Sequence, residues 1–164
     1  YKRQLDAARA VVGDLAAAFR SPTAIGPEAK TTHHDLVTVH DRHTEARLVA
    51  ALTTAVPGSG VLGEELGAQA GTGEAARLTW IVDPIDGTSN FTHGFAMFSV
   101  SLAAEVDGEV VAGVVLDPVG RLAFSADADG AYLTRGDGPE RPLAEVGRPA
   151  PAGAIVLRLC RGPG

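Results

Sequence analysis

Trp80-Ile81-Val82-Asp83-Pro84-Ile85-Asp86-Gly87-Thr88-Ser89-Asn90-Phe91 begins as an apolar run and stops abruptly at a carboxylate. Three apolar residues before Asp-Pro predict a buried strand ending at Asp83, because proline removes a backbone donor and holds its predecessor extended. Asp86 follows three residues on, so one tight turn can aim both carboxylates at the same point. Gly87 lets the backbone approach a ligand closely, and the amides of Gly87 and Thr88 can face an anion, as at a helix start or a backbone nest. Carboxylates beside anion-binding amides call for a cation between them. Asp-Pro and Asp-Gly are also ordinary turn formers, and Asp83 to Gly87 taken alone reads first as a surface turn.

Working outward, the N-terminal side supplies more acids. Leu5, Ala8, Val12, Leu15 and Phe19 recur at three- and four-residue steps, predicting a first helix that Ser21-Pro22 ends. Gly26-Pro27 opens a loop to Lys30, and after the polar Thr31 to Asp35 the piece Leu36-Val37-Thr38-Val39 reads as a short strand. From Thr44, the spacing of Leu48, Ala51, Leu52, Ala55 and Val56 predicts a second helix closed by Pro57-Gly58, with Asp41 as its N-terminal cap. Val61-Leu62-Gly63-Glu64-Glu65 is a short apolar approach to paired carboxylates.

On the C-terminal side, Phe98, Val100, Leu102 and Ala104 alternate as a half-buried strand, and Asp107-Gly108 supplies a hairpin turn. Strands over 110–116 and 122–125 and another at Tyr132-Leu133 continue an antiparallel meander.

The 164 residues, 45% hydrophobic, suffice for one domain with a real core. No apolar run is long enough to span a bilayer. Formal net charge is −6, and the basic residues are scattered, which argues against a nucleic-acid groove. One cysteine, Cys160, excludes an internal disulfide framework or thiolate cluster, and favours a cytoplasmic setting and oxygen-ligated metals.

Several decoys fail on context. Gly58-Ser59-Gly60-Val61-Leu62-Gly63 fits G-x-G-x-x-G but follows a helix, where a dinucleotide fingerprint must follow a strand. Asp127-Ala128-Asp129-Gly130 lacks the acidic last ligand of a calcium loop, since Gly136 stands there. His33, His34, His40, His43 and His93 lack zinc-site spacing. No P-loop or serine-hydrolase motif is present.

The string from Trp80 to Phe91 closely resembles the signature of the inositol monophosphatase family of magnesium-dependent phosphomonoesterases. Gly63-Glu64-Glu65 and the arrangement Lys30, Asp35-Leu36-Val37-Thr38, Asp41 and Glu45 are also similar to that family. The resemblance implies a layered α/β fold of the sugar-phosphatase type, with two N-terminal helices packed on a mainly antiparallel sheet. It implies that Asp83 bridges two ions, Glu64 and the Ile85 carbonyl complete the first, and Asp86 holds the second. Asp41 and Thr88 would form a hydrogen-bonded pair beside the attacking water, helped by Glu64. Ile85, Asp86, Gly87 and Thr88 would face the phosphate, and Lys30 would lie at the edge.

Two unit charges about 4 Å apart repel by roughly 4 kcal/mol near a protein surface, so such a cluster needs cations to assemble. An all-oxygen set selects Mg²⁺, or Mn²⁺ as a substitute, over zinc. Paired divalent ions acidify water from a pKa of about 16 towards 7, which removes the need for a covalent nucleophile.

Thr88-Ser89-Asn90-Phe91 is more similar to the inositol branch than to the nucleotide-phosphate branch. Fructose 1,6-bisphosphate and histidinol phosphate are alternative substrates, and a non-catalytic metal-binding or interaction protein is an alternative of another class. The resemblance also implies a small phosphorylated substrate, homodimers and lithium sensitivity. Family members continue beyond this C-terminus to a W-D-x-A motif carrying a further aspartate. Residues 1–164 are therefore expected to be one partial domain, its metal- and phosphate-binding portion, with little or no turnover alone.

Overall fold

The structure, a computed structural model, describes residues 2–19 and 33–146, with side chains over 2–15 and 41–144. Ser21-Pro22, the Gly26-Pro27 loop, Lys30, Thr31, Thr32 and residues 157–164 with Cys160 lie outside the described residues.

Helix α1 (Lys2–Phe19) and helix α2 (His33–Ala55) precede strand β1 (Gly60–Gly63), strand β2 (Gly67–Gln69) and a 3₁₀ turn (Gly73–Arg77). Strand β3 (Leu78–Asp86) and helix α3 (Thr88–Thr92) carry the signature. Strands β4 (Ser99–Val106), β5 (Glu109–Asp117), β6 (Leu122–Asp127), β7 (Gly130–Arg135) and β8 (Arg141–Pro142) follow, then helix α4 (Leu143–Val146).

The strands form one eight-stranded sheet in the order β2-β1-β3-β4-β5-β6-β7-β8. From β3 onward it is the expected antiparallel meander. The β4–β5 turn places Asp107 and Gly108 at φ 52° and 84°, the left-handed pair that matches strand twist. Strand β1 instead runs parallel to β3, pairing Gly63 with Val82. That parallel step, reached through β2 and the 3₁₀ turn, puts the ends of β1 and β3 side by side, and with them Glu64 and Asp83.

The core lies between the sheet and the two long helices. Leu5, Ala8, Val12 and Leu15 of α1 and Leu48 and Leu52 of α2 pack against Trp80, Val82, Val100, Leu102, Ala104, Val114 and Leu116. Trp80 is fully buried and donates its indole N–H to Ser59 Oγ at 3.1 Å. Arg9 ties α1 to the far strands by donating to Ser125 Oγ at 3.0 Å, pairing with Glu140 and lying over the Tyr132 ring.

Four expectations are corrected. Leu36 to Val39 is not a strand, because α2 starts at His33 and runs through it. The polar first half of that helix has no clear apolar stripe, and two β-branched valines give it a strand-like local look. Asp41 accordingly sits well inside α2 and cannot be its cap. The signature strand does not end at Asp83: β3 continues to Asp86, with a break in register between Asp83 and Asp86 opposite β4. Pro84 is accommodated at that irregularity, where a missing ladder donor costs least. Strand β4 is also buried on both faces from Val100 to Ala104, not half-buried.

Candidate metal-binding site

Four segments meet at one end of the sheet. Helix α2 presents Asp41, the turn after β1 presents Glu64, the irregular end of β3 presents Asp83, Ile85 and Asp86, and Gly87 opens α3. Gly87 has φ 93°, and a Cβ there would meet the Met97 carbonyl oxygen at 3.1 Å, so only glycine fits both conformation and space. Asn90 donates to that carbonyl at 2.8 Å, holding the loop after α3 against its start.

Asp41 is almost fully buried, and its Oδ1 has no hydrogen-bond partner among the described residues. Burial pushes its pKa up to about 6, with the charges of Glu65, Glu64 and Glu45 acting in the same direction. Asp83 Oδ1 is likewise buried without a partner. Its carboxyl is pushed up to about 7, first by burial, then by the charges of Glu64 and Asp86 and a hydrogen bond shared with Glu64, against a lowering hydrogen bond from Ile85. Two carboxyls can share a hydrogen bond only when one holds a proton. Without a cation, a proton offsets the crowding.

Of the residues expected in the site, Asp83 interacts with both Glu64 and Asp86, and Asp41 senses Glu64. Asp86 is exposed, and Ser99 Oγ donates to its Oδ2 at 3.4 Å. The expected Asp41–Thr88 hydrogen bond is not formed. Thr88 lies at the first position of α3, and its one hydroxyl proton goes to the Ile85 carbonyl three residues back, at 2.8 Å. Among the described residues, no three His, Cys, Asp or Glu side chains are drawn together closely enough to ring one ion. Lys30 lies outside the described residues.

The donor set nevertheless fits a hard divalent cation. It consists of carboxylates and one carbonyl, it contains two buried acceptor oxygens without donors, and the charges of Glu64 and Asp86 push the Asp83 carboxyl up. A lone pair on the Ile85 carbonyl remains beside the one that accepts from Thr88.

Two contributions were not legible as such in the sequence. Glu45 is fully buried, and its carboxylate accepts the Glu65 amide at 2.8 Å and the Leu66 amide at 2.9 Å. Ser99, opposite Asp86 in the β3–β4 pairing, is the other. The four-residue step from Asp41 to Glu45 is the signal that places both on one helix face.

The chain matches the model of the Inositol monophosphatase family over residues 1–160. It is 41% identical over 122 residues, 74% of this chain and 44% of the relative, to the Nus factor SuhB of Pseudomonas aeruginosa. It is 46% identical over 109 residues, 65% of this chain and 38% of the relative, to the inositol-1-monophosphatase of Mycobacterium leprae. The solved structure of Mycobacterium tuberculosis SuhB superposes with a TM-score of 0.68 at 37% identity, covering 86% of this chain and 51% of that one. The inositol monophosphatase II of Staphylococcus aureus gives 0.64 at 29% identity, covering 82% and 50%. The chain thus spans about half the length of these relatives, or less.

Proposed function

The chain belongs to the inositol monophosphatase family, and on that premise we propose that it forms the metal- and phosphate-binding portion of a Mg²⁺-dependent phosphomonoesterase acting on an inositol monophosphate. The observation that carries this reading is the pair of buried, unpartnered carboxylate oxygens on Asp41 and Asp83, set among acids that repel one another.

Glu64, Asp83, Asp86 and the Ile85 carbonyl would hold the ions, Mg²⁺ or Mn²⁺. Bound there, they supply Lewis-acid stabilisation of the attacking and leaving oxygens and an acidified water. Asp41, whose buried Oδ1 has no partner among the described residues, would take a hydrogen bond from the attacking water, assisted by Glu64. Thr88, held by Ile85, orients the turn whose Gly87 and Thr88 amides would face the phosphate. Lys30 is assigned to the edge of the cluster. The reading carries with it a small phosphorylated substrate, a cytoplasmic setting and pairing as a homodimer. Among the described residues no helix is long and apolar enough to cross a membrane.

The test is Mg²⁺ titration by calorimetry on the protein and on Asp83→Asn, with and without inorganic phosphate. Binding that phosphate strengthens and the substitution abolishes is the expected result; a folded wild type that binds no Mg²⁺ under either condition refutes it. Phosphate release from inositol monophosphate, fructose 1,6-bisphosphate and histidinol phosphate then ranks the substrates.

One relative is named a Nus factor and not a phosphatase, which favours a second reading: a metal-binding or interaction protein on the same scaffold, without turnover. Mg²⁺ binding with no release from any of the three esters by the full-length protein would select it.

A further inference from the structure

Glu64 stands in a short turn. Strand β1 ends at Gly63, β2 begins at Gly67, and these two glycines pair across the hairpin. The Glu64 side chain is exposed, while the acid it must meet, Asp83, is on the neighbouring strand. What fixes the turn comes from α2. The fully buried Glu45 carboxylate accepts the amides of Glu65 through Oε2 and of Leu66 through Oε1. On the other side of Glu64, the space where a Gly63 Cβ would stand is filled by the same carboxylate, whose Cδ is only 2.5 Å away. The residue before Glu64 and the two after it are therefore seated on one side chain.

Asp41 lies one helical turn before Glu45 on the same face of α2. Anything that shifts Glu45 shifts Glu64 against Asp41. A neutral acceptor would satisfy the amides without adding another negative charge beside Asp41. The carboxylate does more than fill a hole: its two oxygens fork onto successive amides and fix the turn in two directions.

We propose that Glu45 is a positioning residue that holds Glu64 at its place relative to Asp41 and Asp83, so that divalent-cation affinity depends on a side chain that does not touch the ion. The inference rests on the metal-site reading above. Ligand sets lose affinity steeply when their support is loosened by fractions of an ångström.

The test compares wild type, Glu45→Gln and Leu52→Val, the last a buried α2 residue remote from the turn. Two quantities are measured: amide hydrogen exchange at Glu65 and Leu66 without metal, and Mg²⁺ affinity by calorimetry with inorganic phosphate. Glu45→Gln keeps the shape but turns an N–H towards one amide. It is expected to speed exchange at these two amides by about tenfold or more and to weaken Mg²⁺ binding by about tenfold. Leu52→Val is expected to lower the unfolding midpoint and leave Mg²⁺ affinity unchanged. Unaltered Mg²⁺ affinity in Glu45→Gln, or equal weakening in Leu52→Val, overturns the proposal. Should Glu45→Gln not fold, wild-type exchange decides: Glu65 and Leu66 amides as fast as in an unstructured peptide refute the clamp, and strong protection supports it. A wild type that binds no Mg²⁺ but protects both amides overturns the metal-site reading while leaving the clamp standing.

Discussion

Gly63→Ala and Gly13→Ala are the same chemical change and should have opposite signs. A methyl at Gly13, in the middle of α1, meets nothing within 4 Å. Replacing a helix-interior glycine by alanine there should stabilise by about 0.5–1 kcal/mol. Gly63 pairs in the sheet with a backbone that alanine can adopt, yet its methyl would overlap Glu45 Oε1 and lie 2.5 Å from Cδ. An ordinary carbon contact is about 3.5–4 Å, so the carboxylate must withdraw by roughly 1 Å or more. It has nowhere exposed to go, since Glu45 is fully buried, and withdrawing breaks its bonds to Glu65 and Leu66. Hydrogen bonds to charged groups contribute about 1.5–3 kcal/mol each, so losing both predicts a cost of roughly 3–6 kcal/mol. That is a large part of the roughly 5–15 kcal/mol typical of a domain. Urea unfolding followed by the fluorescence of Trp80, the only tryptophan, reads both variants. Adding Glu45→Ala to Gly63→Ala should remove the clash, making the double variant no worse than Glu45→Ala alone. A Gly63→Ala cost below about 1 kcal/mol, or simple additivity in the double variant, would show that Glu45 does not occupy that space.

Further outcomes follow from the same structure. In metal-free protein, Asp41 and Asp83 titrate near 6 and 7 when folded, against 3.8 for an ordinary carboxyl. The native state thus holds protons that the unfolded chain has released, and stability should fall as pH rises from about 4 through about 7 and then level off. Unfolding midpoints measured with a chelator present should show that decline, and Asp83→Asn should flatten it; a midpoint that rises over this range contradicts the assignment. Leu102→Ala empties a fully buried position and should cost about 2–5 kcal/mol by urea unfolding. Arg9→Met should destabilise at low and high salt alike, because it frees Ser125 and Glu140 from a partly buried partner. Asp107→Asn breaks an exposed pair with Arg77 and should leave the urea midpoint almost unchanged, with added salt erasing what difference there is.

Much of the site was legible because its residues are close in the chain. Asp83, Ile85, Asp86, Gly87 and Thr88 fall within one strand end and helix start, where local backbone rules predict a turn that gathers acids and amides. The meander was legible for a related reason, since alternating strands joined by short turns such as Asp107-Gly108 pair with their neighbours in sequence. The first half of α2 was not legible. Its own apolar pattern is weak, so Leu36 to Val39 looked like a strand and Asp41 like a cap, although one helix runs through both and packs as a whole on β3 and β1.

The sequence by itself determined the family signature, the Asp83 and Asp86 pair at one turn and the antiparallel run of strands, all of which rest on local spacing. Only the tertiary structure decided the parallel pairing of β1 with β3, the turning of Thr88 to Ile85 and away from Asp41, and the burial of Glu45 beneath the Glu64 turn. These are contacts between segments that lie apart in the chain or choices among competing acceptors. No local pattern encodes them, because they are settled only when helix and sheet close on each other and each buried polar atom must find its partner.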